Sequence, residues 1–254
     1  MGKNKLKKFN DIAQMQCVVE CPFAQLSDEE FPLRGHWNSR FFKNDGKIVL
    51  ELGCGKGEYT VGLARRHPEC NFIGIDIKGA RLWTGAKDVT EHGISNAAFL
   101  RTTIDLLPKF FAPGEVSEIW ITFPDPQMKK ENKRLTGARF MQMYRQVLAP
   151  EAKIKLKTDS PFLYAYTKAM AEHNRIAICE ACDDLHHDNT TPDELRQIRT
   201  FYEQQWLDRG LTIKYISMQV PGQSAPVITE PDVDIPFDTY RSYSRGEIPG
   251  QEPK

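Results

Sequence analysis

Asp125 stands between Pro124 and Pro126, and the chain then runs through Lys129, Lys130, Lys133, Arg134 and Arg139, with Glu131 the only acid among them. Prolines on both sides limit the backbone, so a carboxylate between them is held in place. A fixed acid can accept hydrogen bonds from the edge of a nucleobase. A basic run beside it can neutralise phosphates with salt-sensitive, sequence-tolerant affinity. Most charge runs are only solvated loops; the position of this one beside the bracketed acid favours a functional reading.

A second group lies upstream. Gly53, Gly55 and Gly57 follow the apolar run KIVLEL directly, so the backbone can turn sharply and leave room for a ligand against it. The next apolar run, NFIGID, ends in Asp76, placed to accept hydrogen bonds from both hydroxyls of a ribose. Gly-x-Gly-x-Gly is not the dinucleotide spacing G-x-G-x-x-G, which argues against a nicotinamide or flavin enzyme and suits a nucleoside cofactor without a pyrophosphate. A tight glycine turn beside a solvated acid would explain the glycines alone. The ordered succession of strand, triad, helix, strand and carboxylate is what points to a nucleoside cradle.

Positioning these groups requires alternating elements. The patterns predict strands at Lys47–Leu52, Asn71–Asp76, Ala97–Arg101, Val116–Phe123, Ala152–Lys157, Arg175–Cys179 and Leu211–Val220. Helices are predicted at Tyr59–His67, Lys78–His92, Thr136–Leu148, Pro161–His173 and, as one long element, Pro192–Arg209. Strands alternating with helices of crossover length call for an α/β fold with a mostly parallel sheet and helices on both faces. Residues 1–44 read as a basic N-terminal arm (Lys3, Lys5, Lys7, Lys8) and a cap, with Pro32–Phe42 as an aromatic helix over the site; residues 45–220 read as the main domain. Residues 221–254, rich in Pro, Gly, Ser and acids, read as an irregular tail, draped on the domain or disordered.

The 254 residues suffice for one sizeable core. Lys+Arg and Asp+Glu both number 34, so net charge announces no polyanionic partner and only local clustering can. Six scattered cysteines suit a reducing cytoplasm, and no run of eighteen apolar residues proposes a membrane span. Cys179 and Cys182 have C-x-x-C spacing, with Cys17 and Cys21 as imaginable partners, but the pairs are distant in sequence and no metal is expected.

With these features in place, the chain resembles the bacterial tRNA (guanine-N7)-methyltransferase family, TrmB, over about Lys47–Val220. The resemblance rests on LELGCGKGEYT, on FPDPxxKKxxxKR at Phe123–Arg134, on TDSP at Thr158–Pro161 and on TFYE at Thr200–Glu203. It implies a class I, Rossmann-like methyltransferase fold that transfers methyl from S-adenosyl-L-methionine to N7 of a variable-loop guanine (position 46) in tRNA. Carried over by position, it implies cofactor contacts at Glu51, Gly53, Gly55, Gly57, Asp76 and Asp125, with Asp125 also the catalytic acid. Asp76 stands where this family often has Glu. Thr103 falls where relatives usually have Asp or Asn near the adenine, and Asp105 lies two residues on. Lys129 and Asp159 match substrate contacts, as do Thr200, Phe201, Tyr202 and Glu203, while Lys130, Lys133 and Arg134 are expected to steer phosphate. Gln127 stands where many relatives have Trp. Thr103 and Gln127 leave room for an RNA-binding protein that keeps this fold without catalysis; a methyltransferase for a small molecule or a protein would have no use for the basic run. The expected partner is tRNA, with the chain a monomer or homodimer in the cytoplasm.

Overall fold

The computed structural model describes residues 3–21, 26 and 30–240, with side chains from residue 7 onward. Its strands are β1 (Val18–Glu20), β2 (Lys47–Leu52), β3 (Cys70–Asp76), β4 (Ala97–Arg101), β5 (Val116–Thr122), β6 (Leu148–Thr158), β7 (Ala177–Cys182) and β8 (Lys214–Gln219). The α-helices are α1 (Lys3–Ile12), α2 (Glu58–Arg66), α3 (Gly79–His92), α4 (Leu107–Phe110), α5 (Ala138–Tyr144), α6 (Pro161–His173), α7 (Glu194–Gln197) and α8 (Phe201–Leu207).

β2 shows how the sheet is built. Side chains alternate across a strand, so Ile48, Leu50 and Leu52 enter one apolar layer, while Val49 enters the other and shares its face with Glu51. The strand order is β1-β4-β3-β2-β5-β6-β8-β7. The first six of these run parallel; β8 is antiparallel to both β6 and β7. From β2 the chain builds outward through β3 and β4, then returns to lay β5 on the other side of β2. That reversal makes the β2–β5 junction the place where open α/β sheets bind ligands. It also brings the glycine triad and the proline-bracketed acid side by side, since Leu52 pairs with Ile121.

Several elements differ from the patterns. The long helix expected over Pro192–Arg209 is two short ones, α7 and α8, separated by an extended Ile198. The buried Lys157 ammonium takes the carbonyls of Leu195 (2.5 Å) and Ile198 (3.3 Å), which a continuous helix would need for itself. Thr200 then caps α8, its hydroxyl accepting from the Glu203 amide at 3.1 Å. β6 begins at Leu148, and α5 is shorter than the helix expected there.

The weakly patterned N-terminus is built into the domain. β1 extends the sheet beside β4, and α1 packs on α3, where Trp83 Nε1 donates to Asp11 at 2.9 Å and Lys8 lies over the Trp83 ring. Lys7 is exposed, and the side chains of Lys3 and Lys5 lie outside the described residues. The aromatic turn Trp37–Phe42 does not sit over the site. Trp37 is fully buried against Phe31 and Phe111, and its indole donates to Phe110 O at 3.0 Å. Asn38 and Glu115 tie it to the starts of β2 and β5, the opposite edge of the sheet from the glycine loop.

Residues 221–240 form no regular element but lie along the domain; 241–254 are outside the described residues. Arg145 donates to the carbonyls of Gly222, Ala225 (2.7 Å) and Pro226 (2.8 Å). Glu230 accepts from the Ala138 amide at 2.8 Å and from the Tyr166 hydroxyl. The cysteine pairs lie at opposite edges of the sheet, Cys17 and Cys21 around β1 and Cys179 and Cys182 on β7. Among the described residues, none of the helices is long and apolar enough to cross a membrane.

Candidate active site

A cleft of about 460 Å³ opens at the ends of β2, β3 and β4, lined by Gly53, Asp76, Ile77, Thr102, Thr103 and Asp105 from that side and by Gln127, Lys133, Arg139 and Phe140 from the other. Gly53 has φ +73°, which favours glycine, and a Cβ there would point into open space, so the main chain itself forms the wall. Gly55 donates its amide to Asp76 Oδ2 at 3.0 Å, and Lys78 donates to Oδ1 at 2.8 Å. A carboxylate can accept about four hydrogen bonds, so these two orient Asp76 without filling it. Gly57 shares that φ (+73°) and has a steric reason as well: its Cβ would meet the Phe99 ring at 2.5 Å. Ile77, 57% exposed beside Asp76, offers the cleft a flat apolar surface that the motifs did not mark. Its signal was an apolar residue directly after the acid at a strand end.

Glu51 does not face this cleft. It is buried on the α2 side of the sheet, where it accepts from the Thr60 amide at 2.8 Å, from the Thr60 hydroxyl, and from the Thr122 hydroxyl at 2.6 Å. Burial without a cation pushes its carboxyl up to about 7. Its geometry joins the start of α2 to the end of β5. Asp105 pairs with Arg139, and Thr103 heads the one-turn helix Ile104–Leu106 with its side chain at the cleft.

Across the junction, Asp125 is exposed on a loop whose ends are strained. Phe123 (φ 48°) and Gln127 (φ 49°) both occupy the left-handed region, costly for residues with a Cβ. Three ties hold them. Phe123 donates its amide to Lys157 O at 2.8 Å, Lys130 donates to Gln127 O at 2.9 Å, and Gln127 donates to Asp125 Oδ1 at 3.1 Å. Arg134, expected on the phosphate-steering face, is folded inside instead. It is 5% exposed, donates to the carbonyls of Gln127 (3.2 Å) and Met128 (2.6 Å), and lies over the rings of Phe162 and Tyr166. Its planar fork suits two adjacent carbonyls as a lysine would not. Lys129, Lys130 and Lys133 remain exposed.

The Thr200–Glu203 segment divides similarly. Phe201 and Tyr202 are exposed at 57% and 38%, Lys56 of the glycine loop sits over the Phe201 ring, and the Phe201 amide donates to Glu58 at 3.1 Å. Glu203 points inward, fully buried, paired with Lys157 Nζ at 2.9 Å and with His186 Nε2 at 3.0 Å. Burial draws the Lys157 ammonium below its ordinary range. No motif marks Lys157: Lys153, Lys155 and Lys157 alternate along β6 in one pattern, and of the three it is the last that is buried. Asp159, at the end of β6, is 1% exposed, and its Oδ2 accepts from the Tyr240 hydroxyl at 2.6 Å.

A mostly parallel sheet with an antiparallel β8, a glycine loop after β2 and a carboxylate at the end of β3 is the arrangement of class I methyltransferases. Solved structures agree on the fold: an antibiotic-related methyltransferase superposes with a TM-score of 0.55 at 17% identity, covering 75% of this chain and 95% of that one. A 16S rRNA (adenine(1408)-N(1))-methyltransferase from Catenulisporales acidiphilia gives 0.53 at 14% identity over 76% of this chain and 97% of its own. The family model described as putative methyltransferase matches residues 45–216. A tRNA (guanine-N(7)-)-methyltransferase of Porphyromonas gingivalis is 60% identical over 90% of this chain and 94% of its own length. That of Bacteroides thetaiotaomicron is 53% identical over 98% of both. The chain belongs to the tRNA (guanine-N7)-methyltransferase family.

Proposed function

We propose that this protein transfers the methyl group of S-adenosyl-L-methionine to N7 of a guanine in tRNA, at position 46 of the variable loop, in the cytoplasm. The observation that carries the reading is the junction itself: a cleft walled by bare glycine backbone and Asp76 adjoins an acid on a braced loop that continues into exposed lysines. The cleft fits the nucleoside part of the cofactor. Asp76 has acceptor capacity left for ribose hydroxyls, Ile77 offers apolar surface to a purine, and Thr103 can offer its hydroxyl to the ring edge. When bound there, the cofactor supplies an electrophilic methyl on a sulfonium.

Guanine N7 carries an in-plane lone pair and has no proton to lose, so the residues need not include a strong base. Their task is alignment and the treatment of positive charge as it moves onto the purine. Asp125 is assigned to accept from the N1 and exocyclic amine donors of guanine and to offset that charge. The strained, triply tied loop keeps it from rotating away. Asp159 is assigned to the same base edge. Lys129, Lys130 and Lys133 neutralise phosphates, while Phe201 and Tyr202 offer stacking faces to unpaired bases.

Incubation with donor and unmodified total tRNA is expected to yield 7-methylguanosine on nucleoside analysis. Asp125→Ala is expected to lower kcat by a factor of about 10²–10³. A protein that binds tRNA and yields no 7-methylguanosine is the non-catalytic alternative.

A further inference from the structure

We propose that Tyr240 is an internal stand-in for the substrate guanine, its phenol holding the carboxylate of Asp159 until tRNA displaces it. This rests on the reading of Asp159 as a guanine contact. Asp159 is 1% exposed and Tyr240 is 7% exposed, and they are joined by a hydrogen bond of 2.6 Å, so no base reaches this carboxylate while the segment lies in place. What the phenol presents resembles what guanine presents: a flat aromatic ring with a hydrogen-bond donor at its edge. The Tyr240 ring also meets Trp206 of α8 edge-to-face at 5.5 Å, the packing an aromatic guest would receive.

The segment that delivers Tyr240 is anchored at points that do not depend on it. Asp238 caps the start of α6, accepting from the Ser160 hydroxyl at 2.5 Å and the Phe162 amide at 3.1 Å. Phe237 packs edge-on against Phe162, and Glu230 holds the start of α5. Asp238 also donates its amide to Met128 Sδ at 3.1 Å, which links the segment to the loop carrying Asp125. Tyr240 lies two residues beyond the last of these anchors, so its phenol can leave Asp159 while they stay docked. A guanine edge carries two donors, N1–H and the exocyclic amine, where the phenol carries one.

A site closed by its own side chain binds with an affinity reduced by the open fraction. Removing the hydroxyl should raise that fraction. Tyr240→Phe is expected to lower the KM for tRNA roughly three- to tenfold with kcat unchanged. A KM that rises would mean that Tyr240 positions Asp159 for substrate, and a KM that stays the same would mean that the contact is idle; either overturns the proposal. In the unmodified chain, amide exchange at Thr239 and Tyr240 is expected to become faster on binding tRNA while that of Asp238, held on Met128, is unchanged; equal or slower exchange at Thr239 and Tyr240 also overturns it. Absence of 7-methylguanosine from the unmodified protein would instead defeat the proposed function, so the two failures are distinguishable.

Discussion

Two buried glutamates lie under the same face of the sheet, Glu51 on β2 and Glu203 against Lys157 of β6, and the sheet treats them in opposite ways. Glu51, on β2, is surrounded by donors without charge, the two threonine hydroxyls and one amide, and its carboxyl is pushed up to about 7. Glu203, on α8, is gripped by the Lys157 ammonium and by His186. The first arrangement joins a helix start to a strand end and tolerates a proton. The second converts a break between two helices into a fixed ledge, because the same ammonium that neutralises Glu203 also satisfies the carbonyls freed at Leu195 and Ile198. Hydroxyl networks suffice where backbone already defines the shape, and a buried ion pair appears where irregular backbone must be pinned.

The strongest way to break the contrast is Lys157→Met, which strips the cation from one glutamate only. Removing one member of a buried pair typically costs about 3–5 kcal/mol. That drop in stability is expected in chemical denaturation, together with earlier proteolysis between Thr191 and Phe201. A drop below about 1 kcal/mol would show that His186 suffices as partner.

Glu51→Gln sharpens the other side. The folded carboxyl titrates at about 7 and the unfolded one at about 4.3, so between these values the folded state holds a proton that the unfolded state has released. Stability of the unsubstituted protein therefore falls as pH rises through that window, by roughly 4 kcal/mol at most, and is unaffected by this group below it. Tm measured from pH 4.5 to 7 is expected to shift progressively in favour of the Gln variant. A constant difference across the window would show that Glu51 titrates normally.

The smallest effect on stability is expected at the surface. Replacing Lys129, Lys130 and Lys133 together by Ala should leave Tm within about 2 °C, since surface substitutions are nearly neutral. Weakened tRNA binding is expected, with the slope of log affinity against log salt falling by about 0.7–0.9 for each phosphate that is no longer neutralised. Adding Arg134→Ala should instead lower Tm, because that guanidinium braces the loop from within.

The backbone of the glycine turn was more legible in the sequence than that of the loop carrying Asp125, for a physical reason. A glycine at positive φ is the cheapest occupant of such a turn, so the triad is written in residue type; Phe123 and Gln127 adopt the same backbone region with no such mark. Likewise, a basic residue reads the same whether it faces solvent or carbonyls. Lys133 and Arg134 are neighbours with opposite fates, one at the cleft and the other under Phe162 and Tyr166. Glu51 and Glu203 are marked as part of the site by motif, but their inward direction is set by partners on other strands and helices.

The sequence by itself determined the alternation of strands and helices, the glycine turn with Asp76, the bracketed Asp125 and the exposed lysines, because each depends on local backbone preference or on spacing within a few residues. Only the tertiary structure decided that Lys157 would split a helix, that Arg134 would turn inward, that the aromatic turn at Trp37 would lie at the far edge of the sheet, and that Tyr240 would rest on Asp159. Those outcomes depend on partners tens of residues apart, where burial must find each charge and each freed carbonyl a counterpart.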